Sequence, residues 1–102
     1  MKNENYKNDL FERLKDAEYA AAYIEAALDE NDADFLQVAL GDVVKAHGVS
    51  KIADITGMAR QVIYRMISKS GNPTIKNLNI LLDSVGLEID IIVKNQKPPI
   101  SA

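Results

Sequence analysis

The sequence predicts a mainly all-α fold, in which five helices form one bundle around a helix-turn-helix and a short C-terminal β-strand closes the chain. Three observations carry that expectation. Apolar residues return at three- and four-residue intervals through most of the chain. Residues 49–66, VSKIADITGMARQVIYRM, read as two short helices separated by a forced turn. From 87 to 93, LEIDIIV changes to a two-residue alternation of β-branched side chains. Residues 10–94 form a single domain on this reading, with 1–9 a polar, flexible N-terminus and 95–102 a flexible, proline-containing tail.

Leu10, Phe11 and Leu14 are placed in a short turn whose apolar side docks on the core. Asp16 is suited to cap a helix over 17–29, with Glu18 in the first turn, where the helix dipole favours a carboxylate. Tyr19, Ala20, Tyr23, Ile24, Ala27 and Leu28 make its apolar stripe, and packing in or at the edge of the core is the default role for the tyrosines. The break DENDAD offers Asp32 or Asn31 as the next cap and lacks the glycine and terminal glutamate of a calcium loop.

The helix expected over 33–47 carries Phe35, Leu36, Val38, Ala39, Leu40, Val43 and Val44, too apolar for a surface element and so placed at the centre of the bundle. Gly41 inside it costs up to about 1 kcal/mol against alanine, through a close crossing or simple tolerance. His47, the one histidine, reads as a polar or cationic group at the helix C-terminus ahead of Gly48. Ser50 is assigned as the cap of a helix over 51–56. A second helix over 59–67 starts at Ala59, where the absent side-chain cap costs roughly 1 kcal/mol. SKSGNP is a turn with Gly71 and Asn72 suited to positive φ and Pro73 fixing the exit. Thr74 then caps a helix over 75–85 with Ile75, Leu78, Leu82 and Val85 inward and Gly86 stopping it.

Gly57 meets the positive φ that a tight turn between two helices demands, and Ala53, four residues earlier, keeps the crossing close. At about 100° per residue, Arg60, Tyr64, Ser68, Gln61 and Arg65 share an arc of roughly 140°. Val62, Ile63, Met66 and Ile67 take the other side, with Ile52 and Met58 facing them. The outward face thus combines two guanidinium groups, an amide and a phenol. Arginine pairs bidentately with guanine and glutamine with adenine in a major groove, and a phenol suits phosphate or a thymine methyl. The candidate DNA-binding residues are Ser50, Lys51, Arg60, Gln61, Tyr64, Arg65, Lys69 and Asn72. The last two lie in the turn, which as a plain loop needs no function.

At 102 residues with 47% apolar content and no cysteine, the chain is a single folded domain with no disulfide or thiolate metal site. Its polar start and short apolar runs give the expectation of a cytoplasmic protein with no membrane contact. Net charge is −3, unlike most nucleic-acid binders, but its distribution is uneven. Residues 1–44 hold four Lys/Arg against eleven Asp/Glu, whereas 45–76 hold six against one. So few cations imply weak binding by one copy, hence a dimer or a larger complex. A lone strand needs a partner, and Leu87, Ile89, Ile91 and Val93 are candidates for a two-fold seam with a second copy. No catalytic set, phosphate-binding loop, cofactor motif or metal spacing is visible, so an enzyme is not expected.

FERLKDAEYAAAYIEAALDEND followed by FLQVALGDVVKAHGVSKIADITGMARQVIYRMISKSGNPTIKNLNILLDSVGLEIDI resembles the antidote proteins of HigA-type toxin–antitoxin modules from residue 11 to 93. The resemblance implies an Xre/Cro, lambda-repressor-like helical fold, dimeric binding to operator DNA of its own operon, and neutralisation of a co-encoded toxin of the RelE/HigB mRNA-interferase type. It places the recognition helix at 59–67, with Ala59 departing from the usual polar residue. A stand-alone repressor of the same fold is the alternative. The toxin contact is expected in the acidic N-terminal part, with Glu18, Glu25, Asp29 and Glu30 complementing a basic partner.

Overall fold

The computed structural model describes residues 2–95 and contains six helices in the order α1 (Lys2–Leu14), α2 (Ala17–Asp29), α3 (Ala33–His47), α4 (Val49–Thr56), α5 (Arg60–Met66) and α6 (Ile75–Ser84). The chain is thus helical as expected, with one helix more than the sequence indicates. The addition is α1, which covers the segment read as a polar lead-in and short turn. Its local propensity is modest, but Leu14 is fully buried and Leu10 and Phe11 pack against the core. Docking of that apolar end supplies what an isolated helix of this length lacks. The expected tail lies outside the described residues apart from Asn95.

The expected strand does not form among the described residues. A strand needs a hydrogen-bonded neighbour, and the described residues contain no second strand to supply one. Leu87 instead turns inward: its N–H donates to the Leu82 carbonyl at 2.9 Å and its side chain packs on the core. Ile89, Ile91, Ile92 and Val93 all stay substantially exposed, so the alternation seen in the sequence is not expressed as two faces of a sheet.

α3 is the central element, packed against α1, α2 and α4, while α4 also meets α5 and α6. Leu40, Val43 and Val44 are buried at its middle, together with Leu14, Ile24, Ile52, Ile63 and Leu81 from its neighbours. The apolar run of α3 is not wholly inward, since Phe35 and Val38 are more than half exposed. On α6 the buried stripe runs through Leu81, Leu82 and Val85, leaving Ile75 in solvent where the sequence placed it inward. Gly41 needs no glycine: a Cβ there would meet Ile67 at 3.7 Å or more, ordinary van der Waals contact.

Three caps form as read from the sequence. Asp16 accepts from the Tyr19 N–H at 3.1 Å, Asp32 from Asp34 at 2.9 Å, and Thr74 from Asn77 at 3.1 Å. Asn31 takes positive φ instead of capping. α4 begins at Val49 with Gly48 as its N-cap, so Ser50 lies within the first turn and does not cap. Between α2 and α3 the Tyr23 hydroxyl donates to Asp42 at 2.7 Å. Burial and the Asp42 carboxylate push the phenol pKa well up, keeping it a donor.

His47 does not supply a cation to the end of α3. Burial, and then the nearby Lys51 charge, push its pKa below the ordinary 6.5; the Leu14 backbone offsets this only in part, and Lys15 adds to the lowering. Well above pH 6.5 the ring is neutral in the folded and unfolded chain alike and contributes no pH dependence. As pH falls below that value the unfolded chain takes up the proton first, so stability is lost until the folded ring also protonates. Chemical denaturation from pH 7.5 to 5.5 is expected to show this loss, and His47→Gln should flatten the profile. An unchanged slope in that variant would assign the loss to other groups.

Candidate nucleic-acid interface

The turn between α4 and α5 is built as its residue types require. Gly57 ends α4 at φ +78° and donates its N–H to the Ala53 carbonyl at 2.9 Å, while the Ala53 side chain packs against the core. Thr56 locks the same turn: its hydroxyl donates to the Ile52 carbonyl at 2.8 Å and accepts from the Met58 N–H at 3.1 Å. Ala59 then runs extended, and α5 starts with no side-chain cap, as its sequence implies.

α5 lies at the outside of the bundle, and among the described helices its backbone approaches α4 alone. Its inner face is closed by Ile63 and Met66, both buried, with Val62 and Ile67 half-buried at the edges. Arg60, Gln61, Tyr64 and Arg65 are all exposed on the other side. One end of this outward face is organised from α4, because Arg60 Nη1 donates to the Ser50 hydroxyl at 3.2 Å. Ser50 and Arg60 are thus brought together, though not through the cap expected at Ser50. Lys51 is exposed one residue further along α4.

The C-terminal end of α5 depends on a residue that sequence reading passed over. Gln37 is the buried polar side chain of the core, and its Nε2 donates to the Met66 carbonyl at 2.9 Å and the Ser68 carbonyl at 2.6 Å. The Ser68 hydroxyl donates to the Arg65 carbonyl at 2.8 Å, and the Gly71 N–H donates to Ser68 at 2.9 Å. The carbonyls left over at a helix end are thus supplied with donors. The sequence signal was a lone amide in an otherwise apolar stretch of α3.

Gly71 does not take the positive φ expected of it, nor does Asn72. It is required for space: a Cβ would sit 2.5 Å from the Arg65 oxygen, 2.6 Å from that of Met66 and 2.9 Å from Gln37 Nε2. The turn therefore lies tight against the end of α5, with Lys69 and Asn72 exposed on its outside.

Of the residues assigned to a seam between copies, Leu87 belongs to the chain's own core, whereas Ile89, Ile91 and Val93 are 45%, 91% and 65% exposed. Glu18, Glu25, Asp29 and Glu30 are all exposed along α2 and its C-cap. No group of three or more His, Cys, Asp or Glu side chains gathers to hold a metal among the described residues. None of the described helices is long and apolar enough to cross a membrane.

Chemically, the outer face of α5 presents hydrogen-bond donors in planar, bidentate form on a convex rod, the shape and donor set that fit a major groove.

The family described as "Probable addiction module antidote protein" matches residues 4–93. An uncharacterized protein of Haemophilus influenzae is 29% identical over 83 residues, which cover 81% of this chain and 86% of the relative. No solved structure matches.

Proposed function

The chain belongs to the family of probable addiction module antidote proteins, and from that premise we propose that it is a HigA-type antitoxin that binds its own operator through the helix-turn-helix. Members of this family are antidotes, not enzymes, and the family implies a cognate toxin. On the proposed reading that toxin is an mRNA interferase of the RelE/HigB type, and the antitoxin represses the operon encoding both. Residues 10–94 act as one DNA-binding unit. The supporting resemblance extends through the α5 turn and the LLDSVGLEI segment, beyond the helix-turn-helix alone.

The single observation that carries the DNA reading is the position of α5. It is an outlying rod with an apolar side buried and Arg60, Gln61, Tyr64 and Arg65 outward. Arg60 and Gln61 read base edges; Ser50 holds Arg60; Lys51, Lys69 and Asn72 flank the groove at the phosphates; and Tyr64 and Arg65 continue the contact. Alanine at Arg60 or Gln61 is expected to weaken binding to the operon's upstream DNA by about 1–3 kcal/mol and to relax sequence preference. A mobility-shift titration against specific and random duplexes measures both. Unchanged affinity and preference in the two variants would move the DNA contact to another surface.

Two copies joined through residues 89–93 would present two recognition helices to successive major grooves about 34 Å apart. The exposed Ile89, Ile91 and Val93, whose backbone has no sheet partner among the described residues, support that pairing. Ile91→Asp should leave the helical spectrum intact and shift sedimentation to the monomer. A dimer surviving that change would exclude this seam.

A further inference from the structure

The face between α2 and α3, remote in sequence from the recognition helix, carries features that neither the core nor the DNA contact uses. Phe35 and Val38 are 51% and 60% exposed although they stand in the central helix of the bundle. Both line two adjoining grooves: one shared with Tyr23, Ala26 and Glu30, the other with Asp34, Asp42 and Lys45. They therefore form an apolar ridge between two depressions. Beside it, Tyr19 and Tyr23 stack with ring centroids 6.5 Å apart and planes 18° from parallel, so the apolar surface continues onto α2. Tyr23 is held in place by its bond to Asp42. Rigid, pre-positioned aromatic groups of this kind serve as anchors at protein interfaces because little freedom remains to be lost on binding.

The rim selects the partner. On the helical projection of α2, Tyr19, Tyr23, Ala26 and Glu30 share one flank, and Glu18, Glu25 and Asp29 lie next to it on the outer side. Asp34 borders the ridge on α3. The segment forming this half of the molecule, residues 1–44, holds eleven acidic side chains against four basic ones. A second copy of the same face would bring acidic rims together, and duplex DNA would be repelled by them, whereas a basic protein surface would gain from the carboxylates of the rim. An apolar centre with a predominantly acidic border, broken by Lys45 and Lys69 along the second groove, is the layout of a protein interface rather than of a small-molecule site.

We propose that the Phe35–Val38 ridge with its flanking tyrosines and acidic rim is the surface on which this antidote holds its toxin, and that the toxin meets it with a basic surface containing an apolar recess. This rests on the antidote reading and supplies the contact surface that reading leaves unassigned. The groove bordered by Asp34 and Asp42 also reaches Ile67 and Lys69, so a bound partner comes up beside the turn that follows α5.

The probe is the product of the reading frame adjoining this gene, co-expressed and purified with the full-length chain. The wild-type chain should form a complex with it that weakens as salt is raised. Phe35→Asp combined with Val38→Asp replaces exposed side chains, so the helical spectrum and unfolding midpoint are expected to hold while affinity falls ~100-fold. Should that pair fail to fold, Glu30→Lys with Asp34→Lys tests the rim on exposed positions; affinity should fall about tenfold and the salt dependence should flatten. Arg60→Ala, on the opposite function, should leave the complex unchanged while weakening operator binding.

Full affinity in folded Phe35→Asp/Val38→Asp would overturn the proposal. So would a shift from dimer to monomer with toxin binding intact, which would make the ridge a contact between copies. Absence of any complex with the wild-type chain would overturn it as well. Operator binding, measured on the same proteins, reports separately on the DNA reading.

Discussion

Gly71→Ala is expected to destabilise the fold by about 3 kcal/mol or more, a large effect for adding one methyl group outside the hydrophobic core. The added carbon would lie 2.5 and 2.6 Å from two backbone oxygens at the end of α5, atoms that cannot rotate away as a side chain can. Relief requires the turn to lift from the helix, against the bonds that Gln37 and the Ser68 hydroxyl make there. The same displacement presses on Gln37 Nε2, 2.9 Å from the new carbon. Urea denaturation of the purified variant measures the loss. A change below about 1 kcal/mol would mean that the turn relaxes at little cost. Gly41→Ala is the internal control, since its Cβ meets only ordinary contacts and alanine is the better helix former by up to about 1 kcal/mol.

Gln37→Leu should cost about 2–4 kcal/mol despite its similar size and higher hydrophobicity. The native amide donates to the Met66 and Ser68 carbonyls, and a leucine would cover both oxygens while supplying nothing. Gln37→Glu keeps the shape but, when ionised, faces those two carbonyls with a third acceptor. Its deficit should therefore grow as pH rises above the carboxylate range, a signature that a simple packing defect lacks. Because Gln37 ties the end of α5 to α3, both variants should also weaken operator binding under conditions where the bundle is still folded. Denaturation and mobility-shift titrations on one preparation separate the two effects. Gln37 and Gly71 meet at a single point, so their double variant should fall short of additivity.

These two positions show where sequence reading stopped. Gly71 invited a positive φ because glycine in a polar turn commonly takes one, yet its requirement comes from the carbonyl end of another segment. Gln37 was hidden in an apolar run, and its partners lie 29 and 31 residues away. Ser50 reads naturally as a cap, but the preceding glycine starts the helix and frees its hydroxyl for Arg60. Ile75, read as inward, stands in solvent while Leu81, not assigned from the sequence, is buried, because the neighbours of α6, and not its own periodicity alone, decide which part of an apolar arc is covered.

What depended on local stereochemistry was legible in the chain itself. The turn at Gly57, the small Ala53 beneath it, the caps at Asp16, Asp32 and Thr74, and the division of α5 into apolar and polar sides each follow from residues within a turn or two of one another. The added helix α1, the inward turn of Leu87 in place of a strand, the neutral His47 and the exposed ridge of Phe35 and Val38 were settled only by packing. Periodicity marks which side of a helix is apolar, but how much of that side is covered, and by what, depends on contacts between segments far apart in the chain.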